Sequence, residues 1–292
     1  MALLAACTFV TAAQEVPARD LLRFPLGTMD RAPALASSVG DGLGNPAAVS
    51  LEDSERVRAG AAALQTPTQQ GVAGQLFAAA VRIRGQITVG VSVAHLSVND
   101  LVRTDTDPQA SGDEIPYGTT VYSLTVVRRN VRRISTGVAV RYRSGDLDGE
   151  RSGTFGVDAG VLAERLPFRD AAVGASTFLW QPGNADVEGT TIHVAADLRV
   201  VGRDEPHQLR AGYSLTAAGR QYHEHLVVSS ARYGIWEVRT GVGRLDAYDG
   251  QPWRTRLGVV LHYEPYAVGV AREENGAGLG ASYQFTLKAA VR

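Results

Sequence analysis

Three groups of residues could carry chemistry: a histidine cluster, the hydroxyls near it, and charged side chains spaced by two. His223-Glu224-His225 is the densest. In an extended chain successive side chains point to opposite faces, so His223 and His225 share one face and Glu224 takes the other. Two imidazoles could seed a transition-metal site, but no third ligand is evident in the spacing. Ser229 and Ser230 follow on the same stretch. Serine hydrolysis needs a hydroxyl, a base and an orienting group in contact, and nothing here specifies that set. No Gly-rich loop follows a strand and opens a helix, so nucleotide binding lacks its context. The single cysteine, Cys7, excludes a disulfide framework and a thiolate zinc site. The expectation is a protein that is not an enzyme, with no catalytic residue, cofactor or metal.

The charged residues are more informative. Arg133, Arg141, Arg143, Asp158, Glu164, Asp197, Arg199, Arg210, Glu237, Arg239, Arg254 and Arg256 occupy one face of stretches whose other face is apolar. Ile134, Thr136, Val138, Val140 and Tyr142 alternate with Arg133, Ser135, Gly137, Ala139, Arg141 and Arg143. Ile192 to Val200, Trp253 to Tyr263 and Leu279 to Leu287 behave the same way. Strict alternation marks strands with one apolar and one polar face. In hydrocarbon each Arg would cost about 2–4 kcal/mol at the midplane. These groups therefore belong on a lumen face or at strand ends. They could be Arg–carboxylate pairs filling a narrow lumen. They could instead be a polar permeation lining or a docking surface for another part of the chain.

The elements that must position them are strands. The pattern predicts fourteen, at 57–66, 72–82, 86–98, 118–128, 132–143, 153–164, 169–181, 190–201, 207–216, 222–232, 235–247, 253–263, 266–272 and 278–288. Most run ten to thirteen residues, longer than the about 5–6 of soluble strands and matched to the about 9–11 of transmembrane ones. Longer links, such as 99–117 and 144–152, alternate with tight ones, such as 233–234 and 264–265. Bacterial barrels have short periplasmic turns and longer outer loops. The link from Asn99 to Tyr117 holds Asp100, Asp105, Asp107, Asp113 and Glu114. Phe168, Tyr233, Trp236, Tyr263 and Tyr266 flank tight turns, and Trp180 and Trp253 lie at the opposite ends, like two interfacial girdles. Core packing in a soluble sandwich is the alternative. The many glycines, including Gly137, Gly156, Gly160, Gly174, Gly212, Gly241, Gly243, Gly258 and Gly280, suit a curved wall. The fold class expected is all-β: a closed antiparallel transmembrane β-barrel of about fourteen strands over 57–292, preceded by an N-terminal plug segment.

Composition agrees. The 292 residues are 45% apolar and 20% charged, with 32 Gly and formal net charge −1. Of the 29 Lys and Arg, only Lys288 is lysine, a bias that fits a GC-rich genome. Near-neutral charge argues against nucleic acid as a partner. The mean hydropathy of −0.07 is too polar for a bundle of membrane helices, but alternation averages an apolar outside with a polar inside. Residues 1–13 are apolar and end Thr11-Ala12-Ala13, the small-x-small pattern of signal-peptide cleavage before Gln14, and the missing charged n-region reads as a truncated start. Leu4-Ala5-Ala6-Cys7 also reads as a lipobox, and a plain buried segment is the third reading.

Residues 14–56 do not alternate. Ala32 to Ser38 could form a short helical turn, and Asn45-Pro46 favours a turn. The segment is either a plug or a loose leader. Gly40-Asp41-Gly42-Leu43-Gly44-Asn45-Pro46-Ala47-Ala48 followed by fourteen strands resembles the fatty-acid-transporter-like (FadL-like) outer-membrane barrels and their PorV/PorQ relatives. In those families an Asn-Pro-Ala element closes an N-terminal plug, which carries over onto Asn45, Pro46 and Ala47. Gly280, Tyr283 and Phe285 resemble the C-terminal signal read by the barrel-assembly machinery, although the chain runs on to Arg292. The resemblance implies a cell outer membrane location, outer-membrane lipid as surroundings, and passive porin-like transport of a hydrophobic small molecule. A PorV/PorQ-like role with secretion-system proteins, or in surface attachment, is the alternative, and a membrane enzyme the third. The chain is shorter than typical fatty-acid transporters, which leaves little room for large outer loops.

Overall fold

In the computed structural model of the chain, the residues described are 16–36, 43–52, 54–68, 70–99, 101–103, 114–131, 133–181, 190–202, 206–219, 222–246, 253–275 and 280–291. Residues 1–13 with Cys7, Gln14, Gly40, Gly42, Asp100, Asp105, Asp107 and Asp113 lie outside them.

Fourteen strands follow one another: β1 (Val57–Gln65), β2 (Val72–Arg84), β3 (Ile87–Val98), β4 (Tyr117–Val131), β5 (Ile134–Leu147), β6 (Glu150–Leu166), β7 (Ala171–Phe178), β8 (Thr191–Val201), β9 (His207–Ala218), β10 (Tyr222–Tyr233), β11 (Trp236–Asp246), β12 (Trp253–Tyr263), β13 (Tyr266–Asn275) and β14 (Ala281–Val291). Each pairs antiparallel with its sequence neighbours, and β1 pairs with β14 from Val57↔Val291 to Gln65↔Tyr283. The sheet therefore closes, and every strand has a neighbour on both sides. The long alternating runs supply what such a wall needs, since β-branched and aromatic side chains stand on one face and small or polar ones on the other.

Burial inverts the arrangement of a soluble protein. On β5 Ser135, Gly137, Ala139, Arg141 and Arg143 are buried, while Ile134, Val138, Val140 and Tyr142 are exposed. The buried positions face the interior of the closed sheet. The exposed apolar belt continues round the wall through Phe77, Leu124, Val194, Val242, Leu257 and Phe285. Between β1 and β6 this outer face carries an apolar hollow of about 780 Å³, where Tyr122, Tyr142 and Phe155 stand beside Ala59 and Ala79. Their rings pack in series, 6.4 Å and then 4.9 Å between centroids. The aromatics at the tight turns, Phe168, Tyr233, Trp236, Tyr263 and Tyr266, are all exposed, as are Trp180 and Trp253.

Several boundaries differ from the periodicity. The link expected at 144–152 is a two-residue turn, because β5 and β6 pair up to Leu147↔Glu150. Asp148 (φ 55°) and Gly149 (φ 84°) form it. Asp-Gly with both φ positive suits the tight hairpin turns whose twist matches paired strands. β7 ends at Phe178 rather than 181, where the chain bends inward. β13 runs to Asn275, three residues further than expected. Gly280 (φ 81°) precedes β14 instead of lying in it.

Before β1 the described residues form short 3-10 turns at Asp20–Arg23, Pro33–Leu35 and Pro46–Val49. The middle one falls within the small-residue run expected to turn. Asn45 caps the third, its Oδ1 accepting from the Ala47 N–H at 2.9 Å. An N-cap carbonyl of this kind satisfies a donor the first turn leaves orphaned. Ala18, Leu21, Leu26 and Met29 are buried in one apolar cluster with Leu64, Leu76 and Leu96. Further along, Val49 and Leu51 pack on Ala80 and Val127.

Candidate functional site

The inward faces of the strands carry a set of buried ion pairs. Arg141 on β5 and Asp158 on β6 pair with both side chains fully buried. The Arg141 guanidinium lies 4.7 Å from the Phe178 ring centre and donates to Leu43 O at 3.2 Å. Asp158 Oδ1 accepts from the Leu179 N–H at 2.5 Å. On β12 Arg256 donates to Glu224 of β10 and to Glu273 of β13, both at 2.5 Å. Arg254 lies 3.5 Å from the same Glu273. On β11 Arg239 donates through Nε and Nη2 to the two oxygens of Glu237, at 2.7 and 2.9 Å, and through Nη1 to Asp30 at 2.6 Å. His262 Nε2 lies 2.8 Å from Glu237. Arg210 on β9 reaches both oxygens of Asp197 and the Asp170 side chain. Burying charge is costly unless the pair is closely matched, and deleting one member of such a pair costs about 3–5 kcal/mol.

Many of these wall residues hold the N-terminal segment. Arg143 donates to Pro17 O at 2.8 Å and Val16 O at 2.9 Å. Gln284 Oε1 accepts from the Gly27 N–H at 2.9 Å. Ser176 donates to Gly44 O at 3.0 Å. Asn45, fully buried, donates to Ala34 O at 2.8 Å within the segment and to Val161 O of β6 at 3.1 Å. Asp30 adds the ion pair to Arg239. The described parts of the segment thus touch the wall from Arg143, near the end of β5, to Arg82, which donates to Leu51 O at 3.0 Å near the start of β1.

Glycines on the wall lie where the segment presses closest. A methyl on Gly160 would sit 2.0 Å from Asn45 Oδ1, one on Gly174 2.1 Å from Ala34 O, and one on Gly137 2.6 Å from Ala47 N. Real side chains never approach so closely, so these positions need hydrogen. Curvature was the role expected of them; contact with the segment is a second one.

The wall is irregular between β6 and β7. Regular pairing runs from Gly160↔Ser176 to Leu166↔Ala171, with a register shift. Beyond it, among the described residues, only Val157 meets Trp180, its N–H donating to Trp180 O at 2.7 Å. In the gap side chains replace ladder bonds: Thr177 Oγ1 accepts from the Ala159 N–H at 3.0 Å, and Asp158 takes the Leu179 N–H. Leu179 has φ 55°, a left-handed conformation uncommon for a leucine.

A cavity of about 880 Å³ occupies the interior toward the tight turns. Asp30, Glu237, Arg239 and His262 line one part, Asp197 and Arg210 another, and the Glu264–Pro265 turn its rim. At the other end the apolar cluster of Leu21, Leu26, Met29, Leu64 and Leu96 fills the interior.

Of the expected lumen residues, Arg141, Arg143, Asp158, Arg239 and Arg256 are buried. Asp197, Arg199, Arg210, Glu237 and Arg254 are half-buried on the same inward faces, as is Glu164. Arg133 is exposed in the turn before β5 and stands apart from the set. Asn45, Pro46 and Ala47 are all buried. His223 and His225 lie on the outer face of β10, where His225 Nδ1 meets Tyr213 Oη at 2.5 Å, while Glu224 points inward to Arg256. Among the described residues no group of three or more metal-ligating side chains assembles. Ser229 lies 2.7 Å from Thr240, and neither serine is brought to a histidine by a hydrogen bond. Asp30, Glu273 and Gln284 were not singled out by sequence. Glu273 keeps the parity of buried Ala271 and was legible had β13 been carried further. Asp30 lies in a segment without a period and offers no such signal.

No protein-family model matches the sequence, and no curated protein matches it. Solved structures do. The Pseudomonas putida toluene transporter TodX superposes with a TM-score of 0.56 at 9% identity, over 90% of this chain and 99% of that one. A second structure of the same transporter gives 0.55, over 90% and 96%. A TodX deltaS2S3 mutant, described as a monoaromatic hydrocarbon channel, gives 0.55 over 88% and 97%. At this identity the likeness is one of fold.

Proposed function

We propose that the chain is an outer-membrane barrel of the FadL-like type that lets small hydrophobic molecules cross passively, with residues 14–56 as its plug. One observation carries the reading: a closed fourteen-stranded wall, apolar where exposed, surrounds a cavity of about 880 Å³ beside a segment of its own chain. A wall of that kind satisfies its backbone internally and offers lipid an apolar face, which is what spanning a bilayer requires. The shared fold with a toluene transporter supports the same reading. Lipid surrounds the belt, and assembly machinery reads Gly280, Tyr283 and Phe285. In this reading the long-link end is apolar between segment and wall, the plug shifts to admit a ligand, and the irregular β6–β7 seam offers a sideways exit. The family expectation places the protein in the cell outer membrane and assigns it no catalysis.

Heat-modifiable migration on a gel and insertion into vesicles test the barrel; a soluble monomer overturns it. Flux of a small aromatic into vesicles carrying the full chain tests transport. Gly160→Ala pushes Asn45 off the wall and is expected to raise that flux severalfold, and Pro46→Ala to loosen the plug to proteases. Flux equal to that of empty vesicles in both wild type and Gly160→Ala overturns transport. The tightly filled long-link end favours the second reading, a PorV/PorQ-like barrel that docks secreted or surface proteins. Absent flux together with an unchanged plug selects it.

A further inference from the structure

Arg56, Arg84, Arg128, Arg133 and Arg169 are exposed, and all lie at the end of the barrel that carries the tight turns. Main-chain hydrogen bonds string their turns into one arc. The Arg82 N–H donates to Arg56 O at 2.9 Å, Arg129 to Gln86 at 3.0 Å, Glu164 to Arg133 at 2.8 Å, and Arg199 to Arg169 at 2.9 Å. Three acids along the arc are engaged elsewhere, Glu55 with Arg58, Glu52 with Arg165 and Asp170 with Arg210, and Glu164 is half-buried on the inward face. Among the described residues none of the five arginines forms an ion pair. At the opposite end Arg103 is neutralised by Asp148, Arg151 by Asp146 and Arg272 by Glu274, and exposed Arg23 lies over the Tyr222 ring, 5.2 Å from its centre. Among the described residues, exposed arginines without an ion pair thus gather on one rim.

The arc borders the apolar belt. Val81, Ile83, Val126 and Phe168 are exposed next to it in sequence and space. When such a belt sits in hydrocarbon, cations at its edge stand at headgroup depth, with their apolar stems along the wall. Guanidinium groups match phosphate with paired hydrogen bonds. We propose that this arc is a binding surface for anionic phospholipid headgroups in the leaflet that the tight turns face. The proposal rests on the membrane reading above. The arginines are spread along the wall edge on turns as short as Gly85–Gln86, rather than gathered on a projecting loop, which favours a lipid surface over an acidic protein.

The test uses the full chain folded into phosphatidylcholine vesicles containing a minor share of phosphatidylglycerol, then taken up in mild detergent. Native mass spectrometry counts the lipids retained. The wild type is expected to hold phosphatidylglycerol well above its share in the vesicle, and high salt to erase the excess. Along the series Arg84→Gln, Arg128→Gln, Arg133→Gln and Arg169→Gln the preference is expected to fall by about fivefold for each removal. Retention at the vesicle's own ratio, or a preference undiminished in the combined variant, overturns the proposal. Should the combined variant fail to fold, a wild-type preference that high salt leaves unchanged overturns it equally. Rim-dependent binding of polyglutamate in place of phosphatidylglycerol overturns it in favour of an acidic protein partner. A wild type that never inserts overturns the membrane reading itself, an outcome distinct from an inserted barrel without lipid preference.

Discussion

Asn45 joins three parts of the molecule through one side chain. It caps the Pro46–Val49 turn, ties that turn to Ala34, and ties both to Val161 on the wall. Asn45→Ala leaves the Ala34 carbonyl and the Ala47 N–H without these partners in a buried place. An unsatisfied buried group costs about 1–3 kcal/mol, so the variant is expected to lose that much in urea unfolding, with the segment cleaved first in limited proteolysis. Arg239 is held by Glu237 and Asp30 at once. Arg239→Met leaves Asp30 without its cation, and about 3–5 kcal/mol of destabilisation is expected. The double change Arg239→Met with Asp30→Asn should recover part of it, measured in the same unfolding assay.

At the scale of an element, β7 is the weak joint. Its neighbour β8 pairs with it over all but its first residue, from Ala172↔Asp197 to Phe178↔Thr191, whereas β6 loses regular pairing above Ser176. Two side chains, Thr177 and Asp158, stand in for the missing ladder. Amides in such a stretch open more readily than those of a full ladder. Hydrogen exchange at Ala159 and Leu179 is expected to be faster than at Val138 to Tyr142 on β5, and Thr177→Val to quicken it at Ala159 alone. Equal protection at both places would remove the seam from any account of ligand release.

For the whole molecule, the direction of the apolar face decides the surroundings. Val138 is half exposed on the outer belt, whereas Ala139 beside it is buried. Val138 lies within the span of β5, and Val138→Arg is expected to cost about 2–4 kcal/mol when the protein is unfolded from vesicles. The same change in a soluble sandwich would cost little at an exposed site. The measurement therefore separates the two surroundings as well as testing the residue.

The period of two, by itself, determined the strands, their number and which residues share a face, because side-chain alternation is local to a strand. Fourteen runs were legible, and so was the inward parity of Arg141, Asp158, Arg239 and Arg256. The Asp148–Gly149 turn was also present in the letters but was hidden by the longer link assumed around it. Only the tertiary structure decided which charge meets which: Arg256 draws Glu224 and Glu273 from the strands around it, and Asp30 reaches Arg239 across 209 positions. A plug was expected from the sequence, but which wall residues the segment touches was equally invisible, since residues 16–36 and 43–52 have no period and their contacts are set by closure of the sheet. Alternation specifies a face, whereas a partner on that face depends on register, curvature and the space the closed wall leaves inside.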